Sequence, residues 1–394
     1  MILLTRRLPG ILYSYRYVVY SAATIISTFI YFLFKWNLLC VNLQAWRHVE
    51  RVCSLFDKGL ALGSLCAPLC ISKDILSLTC HSFQSAKDAV FSAEWHDIKL
   101  VFKSVPMDVQ PIHWYDNGVL KYPTEKEFLS TIRTIVKRKL NLTLAYDTAV
   151  RLTHLKPSYE EQDLKKRHLE MDHLWYLLQD NEYLLSTIFT DKDIFPQPIG
   201  TCGPYFAVEY LEPIRITTGV FSVEDSLATW SLKLKLALNI LDLLEELDSS
   251  FREPFHLCDI KLNHFGYTSN RKKLKFIDLN MAFPRTIIAS LFKDLNFCDK
   301  DLDCQYLDCK AMCNKTSNMC DNLVTSDNHQ IICEKIFLGW RMSNTVQVPG
   351  LLISEYTPDE LASILRQCAN ARPDTELKRR LYDIIYEVLQ AVNV

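Results

Sequence analysis

The hydrophobic and polar positions of this chain predict one uncharged N-terminal run, followed by alternating strand-like and helical segments. Residues 17–34 carry no charge, and about 18 residues are just long enough to span the hydrocarbon of a bilayer. Arginines but no acidic residues precede the run, so the positive-inside rule predicts a cytoplasmic N-terminus and a lumenal remainder. We favour an uncleaved anchor; a cleaved signal peptide, whose apolar region is usually shorter, and a buried helix are the alternatives.

Two later segments each contain a charged residue within an apolar pattern, a lysine in a predicted strand and a glutamate in a predicted helix. Residues 98–105 alternate as a strand does, and Lys103 lies within them. A helical apolar stripe follows from Leu174 to Ile188, and Glu182 projects from that same face. Because a carboxylate there is costly unless it meets a cation, we favour a pair between Glu182 and Lys103. The alternatives are an exposed strand lysine and a glutamate that reaches solvent.

The pattern then predicts two strands within residues 198–211, a short connector, and a long amphipathic helix from Ser231 to Leu247. A capping box at residues 158–161 predicts an earlier helix start, and two helices are predicted at the C-terminus, from Thr357 and from Asp374 to Val392. The order of strand lysine, helix glutamate, two strands and connector is that of the small lobe of a protein kinase.

A polar loop after the long helix carries Asp259, and a short apolar run delivers Asp278. Phosphoryl transfer from ATP needs one carboxylate to accept the proton of the substrate hydroxyl and another to hold a metal ion on the phosphates. The spacing resembles the catalytic-loop and metal-aspartate pair of protein kinases, with Asp259 as the base and Asp278 as the metal ligand.

Composition narrows the class of protein. A hydrophobic content of 49% excludes a largely disordered chain, and 394 residues suit one two-lobed domain or two smaller ones. The formal net charge of −2 gives no basic surface that would point to nucleic acid.

The cysteines indicate an oxidising compartment. All 14 lie after residue 39, and neither of two dense clusters contains a Cys-x-x-Cys pair, which favours disulfides over zinc. Whether Cys202 and Cys258 are bridged is left open by the sequence. Sequons at Asn141 and Asn314 could be glycosylated only in a lumenal domain. The clusters are Cys53, Cys66, Cys70 and Cys80, and Cys298, Cys304, Cys309, Cys313, Cys320 and Cys333.

Together these features resemble the divergent protein kinase domain family, cysteine-rich type II membrane proteins of the endoplasmic reticulum, and most closely its first subgroup. The motifs that carry the resemblance are the two cysteine clusters, Asn181-Glu182-Tyr-Leu-Leu, Leu257-Cys258-Asp259 and Phe-Gly-Tyr267. The resemblance implies an α+β, two-lobed protein-kinase-like fold behind an N-terminal transmembrane helix, rich in disulfides. Its implied parts are a tail (1–16), an anchor (17–34), a cysteine-rich segment (35–85), an N-lobe (86–211) and a C-lobe (212–394) with an insert (298–333).

Carried over by position, Lys103 and Glu182 look like the ion pair that orients ATP, Asp259 like the catalytic aspartate and Asp278 like the metal aspartate. The connector residues Glu209 and Leu211 are expected to contact the nucleotide with Lys103.

Three departures from the family pattern matter. No glycine lies between Gly63 and Gly118, so no glycine-rich loop precedes Lys103. His264 stands where an asparagine usually binds the second metal ion, and the neighbouring Asn263 could restore an oxygen ligand. No glycine lies between Gly118 and Gly200 either, and we therefore expect no calcium-binding loop.

The leading hypothesis is an ATP-dependent and Mg²⁺- or Mn²⁺-dependent kinase that acts on a hydroxyl of a secretory-pathway protein or glycan. The alternative is a catalytically weak pseudokinase that binds or scaffolds partners in the endoplasmic reticulum. A disulfide-rich receptor-like ectodomain is a third and weaker hypothesis. The expected partners are the membrane and a secretory-pathway protein, without nucleic acid.

Overall fold

The computed structural model describes residues 19–28, 42–81, 87, 89–105, 109–153, 164–214, 226–270, 272–295, 297–341, 347–370 and 372–392. The predicted capping box at 158–161 lies outside these residues. The chain divides into two compact units, Met1–Pro106 with Thr201–Ala207, and Met107–Gly200 with Val208–Val394. We describe each unit by itself.

Residues 19–28 form a helix whose side chains are exposed. Among the residues that the structure describes, no helix is both long enough and apolar enough to cross a membrane. The predicted anchor at 17–34 extends beyond the described residues at both ends.

The first unit is built on an antiparallel sheet. Strands β1 (Ile75–Cys80), β2 (Val90–Trp95) and β3 (Ile98–Ser104) follow the helices Asn42–Asp57 and Cys66–Cys70. The register of β2 with β3 sets Val90 opposite Lys103, which confirms the strand predicted around this lysine. Phe91 and Phe102 stack at 5.1 Å between ring centroids in the core of this unit.

Strands β6 (Pro198–Cys202) and β7 (Tyr205–Glu209) carry the chain between the two units and confirm the two strands predicted here. The five-stranded sheet has the order β1-β2-β3-β7-β6, so β3 with its lysine lies beside the last strand before the connector. Gly63 approaches the carbonyl oxygen of Thr201 so closely that a Cβ would lie 2.1 Å from it, and only glycine fits there.

The second unit contains most of the helices. The longest, Leu227–Ser249, begins after Ser226, whose side chain accepts a hydrogen bond from the amide of Thr229, and it buries Trp230 completely. It confirms the long amphipathic helix of the sequence, as the last two helices confirm the C-terminal ones. The others are Glu125–Leu140, Tyr146–Thr153, Leu164–Gln179, Asn181–Ile188, Arg285–Asp294, Asn328–Ile332, Asp359–Asn370 and Thr375–Val392.

The apolar stripe from Leu174 to Ile188 spans two helices, not one. Asp180 interrupts it with an extended backbone (φ −84°, ψ 125°), and its carboxylate accepts a hydrogen bond from the amide of Tyr183. A short carboxylate of this kind stabilises a helix start better than a helix interior. The helix that carries Glu182 therefore begins anew at Asn181.

Short strands complete the second unit. They form the pairs β4–β5, β9–β12 and β16–β17 and the three-stranded sheets β11-β10-β8 and β13-β14-β15. Their bounds are β4 Trp114–Asp116, β5 Val119–Lys121, β8 Glu212–Pro213, β9 Phe255–Leu257, β10 Phe265–Tyr267, β11 Leu274–Phe276, β12 Ala282–Pro284, β13 Gln305–Tyr306, β14 Cys309–Asn314, β15 Met319–Val324, β16 Gly339–Arg341 and β17 Gln347–Pro349.

Every cysteine that the structure describes is disulfide-bonded, which confirms the disulfides predicted for the two clusters. The sulfur atoms of Cys298, Cys304 and Cys313 lie within 4.8 Å of one another, but they belong to disulfides and so are not zinc ligands. The two cysteines left open by the sequence are bridged. The described pairs are Cys53–Cys70, Cys66–Cys202, Cys258–Cys309, Cys298–Cys313, Cys304–Cys320 and Cys333–Cys368.

Candidate functional site

The loop that carries Asp259 leaves strand β9 and is held by backbone hydrogen bonds. The amide of Leu257 donates to Oδ1 of the buried Asn328 at 2.9 Å. The amide of Cys258 donates to the carbonyl oxygen of Met281, beside strand β12, at 2.8 Å. The loop therefore begins from a fixed position at the end of a paired strand.

Asp259 is partly exposed and faces a cation. Its Oδ2 accepts a hydrogen bond from Nζ of Lys261 at 2.9 Å, and the lysine side chain is itself 55% exposed. The charge of this lysine lies next to the carboxylate of the candidate base. Lys261 was not predicted as a site residue, although it lies only two residues after Asp259 in the sequence.

His264 connects the segments of the two aspartates. Its Nδ1 donates to the backbone carbonyl oxygen of Asp259 at 2.9 Å, and its Nε2 lies 3.7 Å from Oδ2 of Asp278. Because Nδ1 is engaged by a backbone carbonyl, Nε2 is the ring nitrogen that faces the Asp278 carboxylate, an arrangement common among metal-binding histidines. Asn263 is exposed, so the residue placed beside Asp278 is His264; a metal role of Asn263 stays a prediction.

The Asp278 side chain is oriented by its own turn. Its Oδ1 accepts a hydrogen bond from the amide of Asn280 at 3.1 Å, while the side chain stays 35% exposed. A carboxylate with an imidazole beside it is a donor set that fits Mn²⁺ well and Mg²⁺ less well, because Mg²⁺ prefers oxygen ligands. The residues present thus fit a divalent cation.

The helix Asn181–Ile188 begins against the segment that follows Asp278. Oε1 of Glu182 accepts a hydrogen bond from the amide of Leu279 at 3.3 Å, and Nδ2 of Asn181 donates to the carbonyl oxygen of Asn280 at 3.1 Å. Glu182 is only 3% exposed, so the alternative of a glutamate reaching solvent is wrong. Two side chains of one helix turn therefore fix the backbone next to the candidate metal aspartate.

Lys139 is a further residue of this network that the sequence did not reveal. Its Nζ donates to Oδ1 of Asn181 at 3.3 Å and to the carbonyl oxygen of Gln179. Burial lowers the pKa of Lys139 to about 8, with the charge of Asp180 opposing the shift. The lysine comes from the helix Glu125–Leu140, about 40 residues earlier, and no local pattern marks it.

Lys103 lies on β3 and is 6% exposed, so the alternative of an exposed strand lysine is wrong. It belongs to the first unit and Glu182 to the second. Their ion pair stays a prediction.

The connector glutamate is engaged in an ionic network. Oε1 of Glu209 accepts a hydrogen bond from the amide of Gln197 at 2.8 Å and another from Nζ of Lys275, which is 2% exposed. Nζ of Lys275 also lies 2.6 Å from Oδ1 of Asp193. Burial alone would raise the pKa of Asp193, but the hydrogen bond and the charge of Lys275 outweigh burial and lower that pKa. Leu211 is buried. The predicted contacts of Glu209 and Leu211 with a nucleotide stay predictions.

His256, in β9 just before the loop, is a buried titratable group, and we expect it to make the stability of the unit depend on pH. It is 4% exposed, and neither ring nitrogen has a hydrogen-bond partner in the described part of the chain. Burial, reinforced by Arg285, lowers the pKa of His256 to about 4. Between this pKa and the ordinary pKa of 6.5, His256 binds a proton in the unfolded chain but not in the folded one. The contribution of His256 to the free energy of unfolding is therefore complete above pH 6.5, and about 3 kcal/mol of it is lost as the pH falls to 4.

Chemical denaturation between pH 7 and pH 4 checks this expectation for His256. The His256→Phe variant should lose this part of the pH dependence. An unchanged slope in the variant would assign the acid sensitivity to other groups.

Two family models match the chain. The model described as "N-term cysteine-rich ER, FAM69" matches residues 6–155, and the model described as "Protein-kinase domain of FAM69" matches residues 174–371. Among solved structures, the Mycobacterium tuberculosis protein Rv3197 in complex with erythromycin matches at 12% identity and a TM-score of 0.25, over 81% of this chain and 74% of its own.

The two FAM69 models cover most of the chain, and the kinase-domain model alone covers half of it. They agree with a mixed α+β, kinase-like domain that contains many disulfides, and with an association of the family with the endoplasmic reticulum. The resemblance to divergent, cysteine-rich kinase-like proteins is thereby confirmed, and the chain belongs to the FAM69 family.

Proposed function

We propose that the protein is a lumenal, ATP- and metal-dependent phosphoryl transferase that acts on a hydroxyl of a secretory-pathway protein or glycan. The observation that supports this most directly is the position of His264. It contacts the backbone of Asp259 with one ring nitrogen and faces the carboxylate of Asp278 with the other. A candidate base and a candidate metal ligand are thus joined through one side chain.

Each residue has a distinct task in this proposal. Asp259 accepts the proton of the attacking hydroxyl, and Lys261 balances the charge beside it. Asp278 and His264 hold the cation, while Glu182 and Asn181 keep the backbone after Asp278 in place. A bound divalent cation supplies charge neutralisation on the phosphates. Lys103, buried on β3, is proposed to bind the phosphates with Glu182 as its counter-ion.

One observation favours the alternative of a scaffolding pseudokinase. No glycine lies between Gly63 and Gly118, so the segment before β3 has no glycine-rich loop to cover the phosphates. Retention of Lys103, Glu182, Asp259 and Asp278 together favours the enzyme, because a scaffold has no physical need for all four. ATP and Mn²⁺ or Mg²⁺ are the proposed cofactors.

We also propose a type II topology, with residues 17–34 as the anchor and the remainder in the lumen of the endoplasmic reticulum. The run is uncharged and arginines precede it. The disulfides of the folded chain support an oxidising compartment.

The two sequons differ in their suitability for a glycan. Asn141 ends a helix in a left-handed conformation (φ 51°), and its Nδ2 donates to Glu253 at 3.2 Å. Asn314 is exposed, and its Oδ1 accepts from the amides of Thr316 and Ser317, while its Nδ2 donates to no described group.

We therefore expect the glycan on Asn314. Digestion with an N-glycosidase should shift the electrophoretic mobility of the wild type and of Asn141→Gln, but not that of Asn314→Gln. A shift in none of the three proteins would contradict the lumenal topology.

The proposed activity is tested by transfer of the labelled γ-phosphate of ATP to a mixture of secreted proteins. We expect transfer by the wild type with Mn²⁺, and a loss of roughly 100-fold or more in Asp259→Asn, since general-base catalysis contributes factors of this size. The thermal unfolding midpoint should stay the same, because Asp259 is partly exposed. Equal transfer by both proteins would remove Asp259 from the mechanism, and no transfer by either would favour the scaffold.

A further inference from the structure

The cysteine-rich insert contacts the loop that carries the candidate base. We propose that Asp308, in the turn between β13 and β14, is a positioning residue that fixes the backbone on both sides of Asp259. This inference rests on the proposed function, in which Asp259 is the base. It gives the insert a role in catalysis in addition to that of a disulfide-rich module.

Asp308 forms two hydrogen bonds with the residues that flank Asp259. Its backbone amide donates to the carbonyl oxygen of Cys258 at 2.8 Å, and its Oδ2 accepts from the amide of Ile260 at 2.7 Å. One residue thereby holds the peptide group before Asp259 and the peptide group after it. With both ends fixed, the base carboxylate has only its own side-chain torsions to vary.

Asp308 is itself held from two directions. Nζ of Lys335 lies 2.8 Å from Oδ1 and 2.7 Å from Oδ2 of its carboxylate, and only 16% of the Asp308 side chain is exposed. Next in the chain, Cys309 forms the disulfide with Cys258, the residue before the base. An ion pair and a covalent bond therefore fix the group that fixes the loop.

The turn between β13 and β14 contains a strained residue, Leu307. Tyr306 pairs with Cys309, so the turn has two residues, and Leu307 has a φ of 53°, in the left-handed region that favours glycine. The Leu307 side chain is 49% exposed, so burial of that side chain does not explain the conformation. What the turn achieves is the placement of Asp308 against the loop.

The residues of the insert that contact the loop, Asp308 and Cys309, form a strap across it. Two further disulfides brace the strands of the insert: Cys298–Cys313 joins β14 to the segment before it, and Cys304–Cys320 joins the residue before β13 to β15. The strap predicts a specific defect: its loss should lower the rate of the chemical step more than it weakens nucleotide binding. Asp278 is held by its own turn, whereas His264 contacts the same peptide group that Asp308 holds.

The test compares Asp308→Ala with Asp308→Asn, which keeps an oxygen acceptor for the amide of Ile260. Asp299→Ala is the control, since Asp299 is exposed in the same insert. Asp308→Ala should lower kcat for γ-phosphate transfer by on the order of 100-fold, with a smaller change in the KM for ATP, because a small misplacement of a catalytic group has effects of this size on the chemical step. Asp308→Asn should recover most of the rate.

Hydrogen–deuterium exchange provides a readout that does not depend on activity. The amide of Ile260 should exchange faster in Asp308→Ala than in the wild type, while Asp308→Asn and Asp299→Ala should match the wild type. If Asp308→Ala does not fold, Lys335→Met replaces it, with changes in exchange and rate in the same direction but smaller, because the Asp308 carboxylate keeps its bond to the amide of Ile260.

Four results separate this inference from the proposed function. Unchanged exchange at Ile260, or faster exchange with an unchanged kcat, would overturn the strap. A fall in kcat that Asp308→Asn does not recover would also overturn it. A wild type that transfers no phosphate would overturn the proposed function, and the exchange experiment alone would then decide whether Asp308 fixes the loop.

Discussion

Asp278→Asn should abolish the metal-dependent binding of ATP and leave the fold intact. The substitution keeps the shape of the side chain and the oxygen that accepts from the amide of Asn280, but it removes the negative charge that faces His264. Loss of a charged ligand should weaken binding by at least the 10- to 100-fold that outer partners of a metal site contribute. The side chain is 35% exposed, so its neutralisation should change the free energy of unfolding little.

Calorimetric titration of ATP in the presence of Mn²⁺ checks the prediction for Asp278. Asp191→Asn is the matched control, since that aspartate is 69% exposed and pairs only with the neighbouring Lys192 in the described structure. Equal affinity of Asp278→Asn and the wild type would remove the metal role of Asp278. Unfolding of the variant would instead assign the residue a structural role.

The second large effect concerns the disulfide Cys66–Cys202. It joins residues 136 positions apart, within one unit, whereas Cys298–Cys313 joins residues 15 apart. In the chain-entropy model, the stabilisation by a disulfide grows with the logarithm of the loop that it closes. Replacing both cysteines of Cys66–Cys202 by alanine should therefore cost about 5 kcal/mol, and the same change at Cys298–Cys313 about 3 kcal/mol.

Urea denaturation of the two double variants measures this difference. The wild type sets the reference for each, and the slope of the free energy with denaturant shows whether the unfolded states are comparable. A smaller loss for Cys66–Cys202 than for Cys298–Cys313 would contradict the entropic account and point to contacts that survive without the bond.

The order of elements could be predicted because it depends on local periodicity. A hydrophobic period of two residues indicates a strand, and a period near 3.6 residues indicates a helix. The segment around Lys103 is a strand and the segment from Ser231 to Leu247 is a helix, as these periods predicted. The interruption at Asp180 was missed because apolar spacing continues across it. Only the capping contact with Tyr183 reveals that the helix starts again.

The candidate site was predicted in part. Asp259 and Asp278 were predicted from their spacing, and Glu182 from its position on the apolar face of a helix. In the structure Glu182 contacts Leu279, the residue after Asp278. Lys139 and Asp308 were not marked, because each acts through contacts with residues about 40 or more positions away in the sequence. Such contacts leave no periodic trace.

The pairing of the cysteines could not be predicted from the sequence for a similar reason. The number and density of the cysteines predicted disulfide bonds, but the same set of cysteines can be paired in many different ways. The bond between Cys258 and Cys309 could be assigned only once the insert was placed against the loop of Asp259. This bond and Asp308 connect the cysteine-rich insert with the candidate chemistry.

The proposed phosphoryl transfer rests on the claim that Asp278 and His264 lie at a working metal and nucleotide site. The most direct measurement is the thermal unfolding midpoint of the purified protein, titrated with ATP in Mn²⁺, in Mg²⁺ and without metal. Because a ligand that binds only the folded state stabilises it, we predict a metal-dependent rise of the midpoint, larger with Mn²⁺. An unchanged midpoint with every combination of nucleotide and metal would contradict the claim.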